Sequence, residues 1–196
     1  MNNADKSLNS ENIEIKSNED FLFFGFFVFL LSESVVFLSL FVAYTILRVH
    51  NPHWYPNGVT GLDIKSGLIS TVILIACSCI VYLAERALSA GKVSNFRKIW
   101  LITVALGVIF LIGQVSEWHN MPFGIDQGLA GATYYLLTGF HGLHIVAGII
   151  LVLLMYFRSL VPGNYQKGHS GVSAVSLFWY FVNIIWILTF ILLYLW

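Results

Sequence analysis

Charge is what this sequence has least of. Only 10% of its 196 residues are Asp, Glu, Lys or Arg, while 58% are hydrophobic. Water-soluble domains run near about 25% charged and 45–50% apolar, so an ordinary solvated fold is excluded and the bilayer is the expected solvent. A mean hydropathy of +0.79 agrees. The ten basic and ten acidic residues cancel, which leaves no electrostatic reason to expect nucleic acid or an anionic substrate. Cysteine is nearly missing. Cys77 and Cys79 are the only two; two residues apart on a helix they point away from each other and cannot bridge, so they read as small packing residues. A secretory signal is not apparent, because the first twenty residues are polar and hold no short apolar core or small-residue cleavage site. With five Asp/Glu against Lys6 and Lys16, residues 1–20 are expected to form a disordered cytoplasmic tail. No internal repeat stands out, and the inverted symmetry of many transporters is not visible.

What is present is a series of five apolar runs, at about 21–47, 66–84, 99–118, 133–157 and 175–196. Each can cross the ~30 Å hydrocarbon layer. The expected fold is therefore all-α: a polytopic membrane helix bundle with five transmembrane helices over 21–196. The first linker is rich in Pro, Gly and aromatics, and Trp54 and Tyr55 suit the headgroup level. Lys6, Lys16, Arg86, Lys92, Arg97, Lys98, Arg158 and Lys167 fall on one side of the membrane, and only Arg48 and Lys65 on the other. By the positive-inside rule the N-terminus is cytoplasmic and the C-terminus outside.

A few polar side chains interrupt the apolar runs. Glu33 lies near the centre of the first; a carboxylate at that depth should face protein or water and have a partner. It is either a proton-handling group or a carboxyl that locks helix packing. His141 and His144 share a helix face in the fourth run, among Gly139, Gly142, Ala147 and Gly148. As metal ligands they would need further donors from other helices, with Glu33 and Glu117 as possibilities, but no carboxylate di-metal pattern appears. Interhelical hydrogen bonding, from His141 or His144 to Glu33, is the expected role, and no metal is expected. Gln114 and Glu117 lie one turn apart at the end of the third run, where a structural or capping role is expected. Glu85 and Arg86 close the second run and anchor an interface. Asn183, deep in the last run, reads as hydrogen-bonding glue between helices. No nucleophile–base pair, phosphate loop, cysteine metal cluster or haem-binding histidine set is visible.

Five strings in one order carry a resemblance: FLLSESVVFLSLFVAY (29–44), SGLISTVILIACS (66–78), ALGVIFLIGQVSEWHNMPF (105–123), GATYYLLTGFHGLHIVAG (131–148) and FWYFVNIIWILTFILLYLW (178–196). Together they resemble subunit III of the haem–copper terminal oxidases, in a five-helix bacterial form, and they cover nearly everything after the tail. The resemblance implies a chain of a respiratory complex in a prokaryotic cytoplasmic or other energy-transducing membrane. That complex takes electrons from cytochrome c or quinol, reduces O₂ to water and translocates protons. The chain itself would be non-catalytic and bind no cofactor, the haems and copper being held by partner subunits. Its implied partners are subunit I, subunit II and structural phospholipids. Beside subunit I it would support stability, proton uptake and sustained turnover. Glu33 matches the family's carbodiimide-sensitive glutamate, His141 and His144 match the histidines of the TGFHGLH string, and Glu117 matches the glutamate after the third span.

Two departures accompany the resemblance. Seven-helix relatives have two further helices before the one bearing Glu33; a polar tail stands here, so a partner such as subunit I would have to supply them. In the last helix relatives commonly read WHFVDVVW, where this chain has Tyr180 in place of the His and Asn183 in place of the Asp. An ionisable pair has become neutral, as in a divergent branch such as an alternative quinol oxidase. The rival readings are an accessory subunit of nitric oxide reductases, a free-standing proton-coupled transporter built on Glu33 and the histidines, and a purely structural scaffold.

Overall fold

The computed structural model describes the backbone of residues 3–56, 59, 61–163, 165 and 169–196, and the side chains among these from Phe23 onward. It is all-helical, and no strand occurs among the described residues. Five helices follow in order: α1 (Asn3–His50), α2 (Ile64–Ser89), α3 (Val93–Asn120), α4 (Gly128–Leu160) and α5 (Ser170–Phe190), the last continuing as a π-helical segment, Ile191–Leu195. All five are long and apolar enough to cross a membrane.

The helices overrun the apolar runs that announce them. α2 has 26 residues, about 39 Å at ~1.5 Å per residue, against the ~30 Å hydrocarbon layer. Hydropathy marks only what sits in hydrocarbon, whereas backbone hydrogen bonding continues until a cap or a turn residue stops it. At the start of α2 that cap is Asp63, whose carboxylate accepts from the Lys65 amide at 3.1 Å. At the end of α3, Met121 turns extended just ahead of Pro122. In α1 the helix begins at Asn3, although the span proper is Phe23–His50.

The chain divides into two compact units, Met1–Val36 and Phe37–Trp196. In the first, Phe23, Phe24, Phe27, Val28, Phe29 and Leu31 are exposed, as befits side chains meant for lipid. Ser32 and Ser34 turn their hydroxyls back onto the Val28 and Leu30 carbonyls at 3.1 and 2.8 Å, so neither needs a partner from outside its own helix.

In the second unit α2 packs on α3 and α5, and α4 packs on the same two, which closes a ring α2–α3–α4–α5. Two aromatic-rich clusters fill it. One gathers Phe123, Tyr134, Leu137, Ile185, Phe190 and Tyr194 with Phe37, Phe41 and Tyr44 of α1; the other gathers Cys77, Phe96, Trp100, Val152, Val175 and Trp179. Small residues permit this closeness. A Cβ placed on Gly148 would lie 2.8 Å from the Trp179 ring, and one on Gly67 would lie 2.8 Å from Phe190. Trp179 is only 1% exposed and has nowhere to retreat. Gly148→Ala therefore lowers stability by about 1–3 kcal/mol through overpacking, measured as an earlier midpoint of denaturant unfolding in mild detergent. An unchanged midpoint would mean that the α4–α5 contact is slack.

Candidate functional site

The α4 segment that carries the two histidines is held between α3 and α5, but the two rings have different surroundings. His141 is fully buried. It meets Phe110 of α3 edge-on at 5.6 Å and Trp186 of α5 at 5.0 Å, and neither ring nitrogen has a hydrogen-bond partner. His144 is only partly buried. Its Nδ1 lies 2.8 Å from the Phe140 carbonyl, and its ring lies 4.9 Å from Phe37 and 5.0 Å from Phe140. With Nδ1–H given to that carbonyl, Nε2 is the acceptor of the neutral ring. Three residues on a helix amount to about 300° of rotation, which suffices to send one ring into the bundle and the other toward its flank. Among the described residues, no three His, Cys, Asp or Glu are grouped so as to hold a metal ion.

The second concentration of polar groups ties α3, α4 and the π-helical segment together. The Tyr194 hydroxyl donates to Glu117 Oε1 at 2.6 Å. Tyr134 stands 3.5 Å from Tyr194, oxygen to oxygen, and Gln114 Nε2 donates to the Tyr134 hydroxyl, also at 3.5 Å; both links are long and weak. Gln114 is buried, and its Oε1, like Glu117 Oε2, has no partner. Glu117 also lines a cavity of about 420 Å³ with Gly61, Asp63, Ser66, Ser116 and Asn120. Next to it, Trp118 Nε1 donates to the Thr138 hydroxyl at 3.1 Å. The sequence brought Gln114 and Glu117 to notice by their spacing. Tyr134 and Tyr194 went unmarked because tyrosine in a membrane chain ordinarily reads as an interfacial anchor.

The third concentration lies between α2 and α5. Asn183 Nδ2 donates to the Leu74 carbonyl at 3.2 Å and to the Ser78 hydroxyl, and Trp186 Nε1 donates to Thr71 at 3.0 Å. Farther along, Ser173 donates to Glu85 Oε1 at 2.7 Å. Tyr180 is partly buried, with a hydroxyl that has no partner. Between α4 and α5, Tyr165 donates to the Met155 carbonyl at 2.8 Å; burial pushes its phenol above the ordinary range, against the opposing pull of Arg158. Glu33 is partly buried in α1.

One constellation had no sequence signal beyond a charge count. The Arg48 guanidinium lies 5.5–6.0 Å from the rings of Tyr44, Trp54, Tyr55 and Trp196. It donates to the Trp196 carbonyl at 2.6 Å and to the Tyr44 hydroxyl, which itself donates to the Leu192 carbonyl at 3.1 Å. The Arg48 cation is thus held by a ring of aromatic faces.

Compared with known proteins, residues 12–196 match the family model described as Cytochrome c oxidase subunit III. Proteins described as Cytochrome c oxidase subunit 3 are similar over most of the chain. That of Synechocystis sp. is 40% identical over 177 residues, 90% of this chain and 76% of the relative. That of Thermostichus vulcanus is 40% identical over 176 residues, 89% and 87% of the two. That of Neotragus moschatus is 32% identical over 179 residues, 88% and 69%.

Of the polar contacts, the Asn183 pair lends itself to a direct measurement. Asn183→Leu removes both hydrogen bonds and strands the Leu74 carbonyl's second acceptor site only lightly, since that carbonyl still serves its own helix. The expected loss is about 0.6–1.7 kcal/mol, the range for polar contacts between membrane helices, read by denaturant titration in mixed micelles. A loss several times larger would mean that the amide carries more than helix association.

Proposed function

The chain belongs to the cytochrome c oxidase subunit III family, and we propose that within its complex it is a non-redox subunit that steadies the catalytic one. It is a terminal oxidase subunit III, an integral multi-pass membrane protein that works in a complex with other subunits. The observation that carries this is the unbroken family match from residue 12 to residue 196, joined to five membrane-crossing helices. The rival readings, an accessory subunit of a nitric oxide reductase and a free-standing transporter, find no support in these relatives, which are oxidase subunits by name.

The finer assignments are ours. The haems and copper of the complex are held by partner subunits, because the imidazoles here do not suit a metal. The His141 ring packs against Phe110 and Trp186, and His144 engages a carbonyl of its own helix. Cytochrome c is the electron donor, as the relatives' names suggest, and subunits I and II are the immediate neighbours. Structural phospholipids occupy part of the exposed apolar surface, since hydrophobicity alone does not distinguish lipid from a partner helix. The basic residues around Arg86–Lys98 and Arg158 mark the cytoplasmic side, so the Arg48 and Asp63 ends face outward, in a prokaryotic cytoplasmic membrane. Glu33 is the carboxyl that serves proton uptake by the neighbouring subunit.

Two measurements bear on this. Material drawn from membranes by a tag on this chain should show haem bands and a CO-reactive component in difference spectra; a haem-free, monodisperse preparation would sink the oxidase reading. Glu33→Gln should leave the complex assembled but shorten the number of turnovers before O₂ consumption decays. Turnover and durability both at the unmodified level would reduce the residue to a packing role.

A further inference from the structure

We propose that the cavity lined by Arg97, where the α2–α3 turn meets the end of α4, binds a phosphate group.

Arg97 is a cation held without an acid. It is partly buried; its Nε donates to the Ser159 hydroxyl at 3.2 Å, and its Nη2 donates to the Ser159 carbonyl. Both acceptors are neutral, and no Asp or Glu stands among the described residues that line the cavity. Taking a charge partly out of water is costly unless a counter-charge or a full set of hydrogen bonds replaces that water. A guanidinium carries five N–H groups; two are spent on Ser159, which leaves three. A phosphate, with several oxygens to present and a negative charge, meets such a remainder with paired, charge-assisted bonds.

The cation is also fixed beside an open space. Ser159 is buried, and its hydroxyl donates to the Tyr156 carbonyl at 2.5 Å, so it accepts from Nε without turning. The bond to the Ser159 carbonyl satisfies one of the acceptors left over at the end of α4. Capping alone needs no room around the cation. Arg97 nevertheless lines a cavity of about 380 Å³, within the roughly 300–1,000 Å³ of small-molecule sites.

The walls of that cavity are set by contacts of their own. Tyr165 donates to the Met155 carbonyl at 2.8 Å and stands edge-on to the buried Phe96, with ring centroids 6.0 Å apart. Gly91 closes the α2–α3 turn with φ +73°, and a Cβ built on it would meet nothing within 4 Å, so this side is open. Gly91 and Val93 bring the start of α3 to the same cavity, where the positive end of its dipole adds to the guanidinium. Exposed Lys92 and Lys98 contribute a field of the same sign. Leu88, Val161 and Pro162 make the remaining lining apolar. Phosphate reaches such a place from two sources, a lipid headgroup or a soluble phosphate.

The test uses the full chain in a phosphorus-free detergent, with ¹⁵N-arginine. Arg48, Arg86, Arg97 and Arg158 are the only arginines, so the Nε–H signal missing from Arg97→Gln is that of Arg97; Arg97→Lys, which keeps a cation at the site, identifies it if the glutamine variant does not fold. Inorganic phosphate and a short-chain phosphatidylglycerol are each titrated against chloride of equal ionic strength. The Arg97 signal should shift to saturation with phosphate or lipid and not with chloride. Saturation at lower lipid concentration assigns the site to a headgroup, and saturation at lower phosphate concentration assigns it to a soluble ligand. Binding read from the ³¹P line of the ligand should weaken by about tenfold in Arg97→Lys, where the planar fork is lost. An Arg97 signal that responds to neither ligand, or equally to chloride, would overturn the site and leave Arg97 as the cap of α4. Undiminished ³¹P broadening in Arg97→Lys, with the other three arginine signals in place, would overturn it as well.

Discussion

In hydrocarbon, apolar side chains gain nothing by leaving lipid for protein, so helices associate through close shape and internally satisfied polar groups. The bundle depends on that constraint, and α5 bears most of it. Just over half of the α5 span is buried, 56%, against 17–33% for the other four. Its Trp179 and Trp186 are the shared wall between α2, α3 and α4: the first closes over Gly148, the second bridges Thr71 and His141. Close packing at one level and hydrogen bonding at the next hold the ring of four helices shut.

The same constraint explains a departure from the pattern that the sequence resembles. Where an acid is usual, Asn183 donates to the Leu74 carbonyl. A carboxylate there would set an acceptor against an acceptor, whereas an amide supplies the missing proton without a buried charge. The neutral side chain is a clasp between α2 and α5. At this end of the bundle Ser173 donates to Glu85 Oε1, while the Tyr180 hydroxyl has no partner.

Polarity thus runs inward, and the lipid-facing surface of α1 to α4 is left apolar. The subunit's imidazoles pack against aromatic rings or engage their own helix. What it can offer a partner is a rigid flank and ordered internal hydrogen bonds.

The number of helices and their order were legible from composition and spacing, because twenty-odd apolar residues in hydrocarbon have almost no structure open to them but a helix. Helix ends were not, since hydropathy stops at the interface and hydrogen bonding does not. Nor was the division of labour between His141 and His144. Their spacing put them on one face, but which ring meets Phe110 and Trp186 and which meets Phe37 follows from how α4 is rotated against its neighbours. The tyrosines of the Glu117 chain and the aromatic ring around Arg48 come from segments as far apart as residues 48 and 196. Such meetings are decided by packing, and no local pattern of residues encodes them.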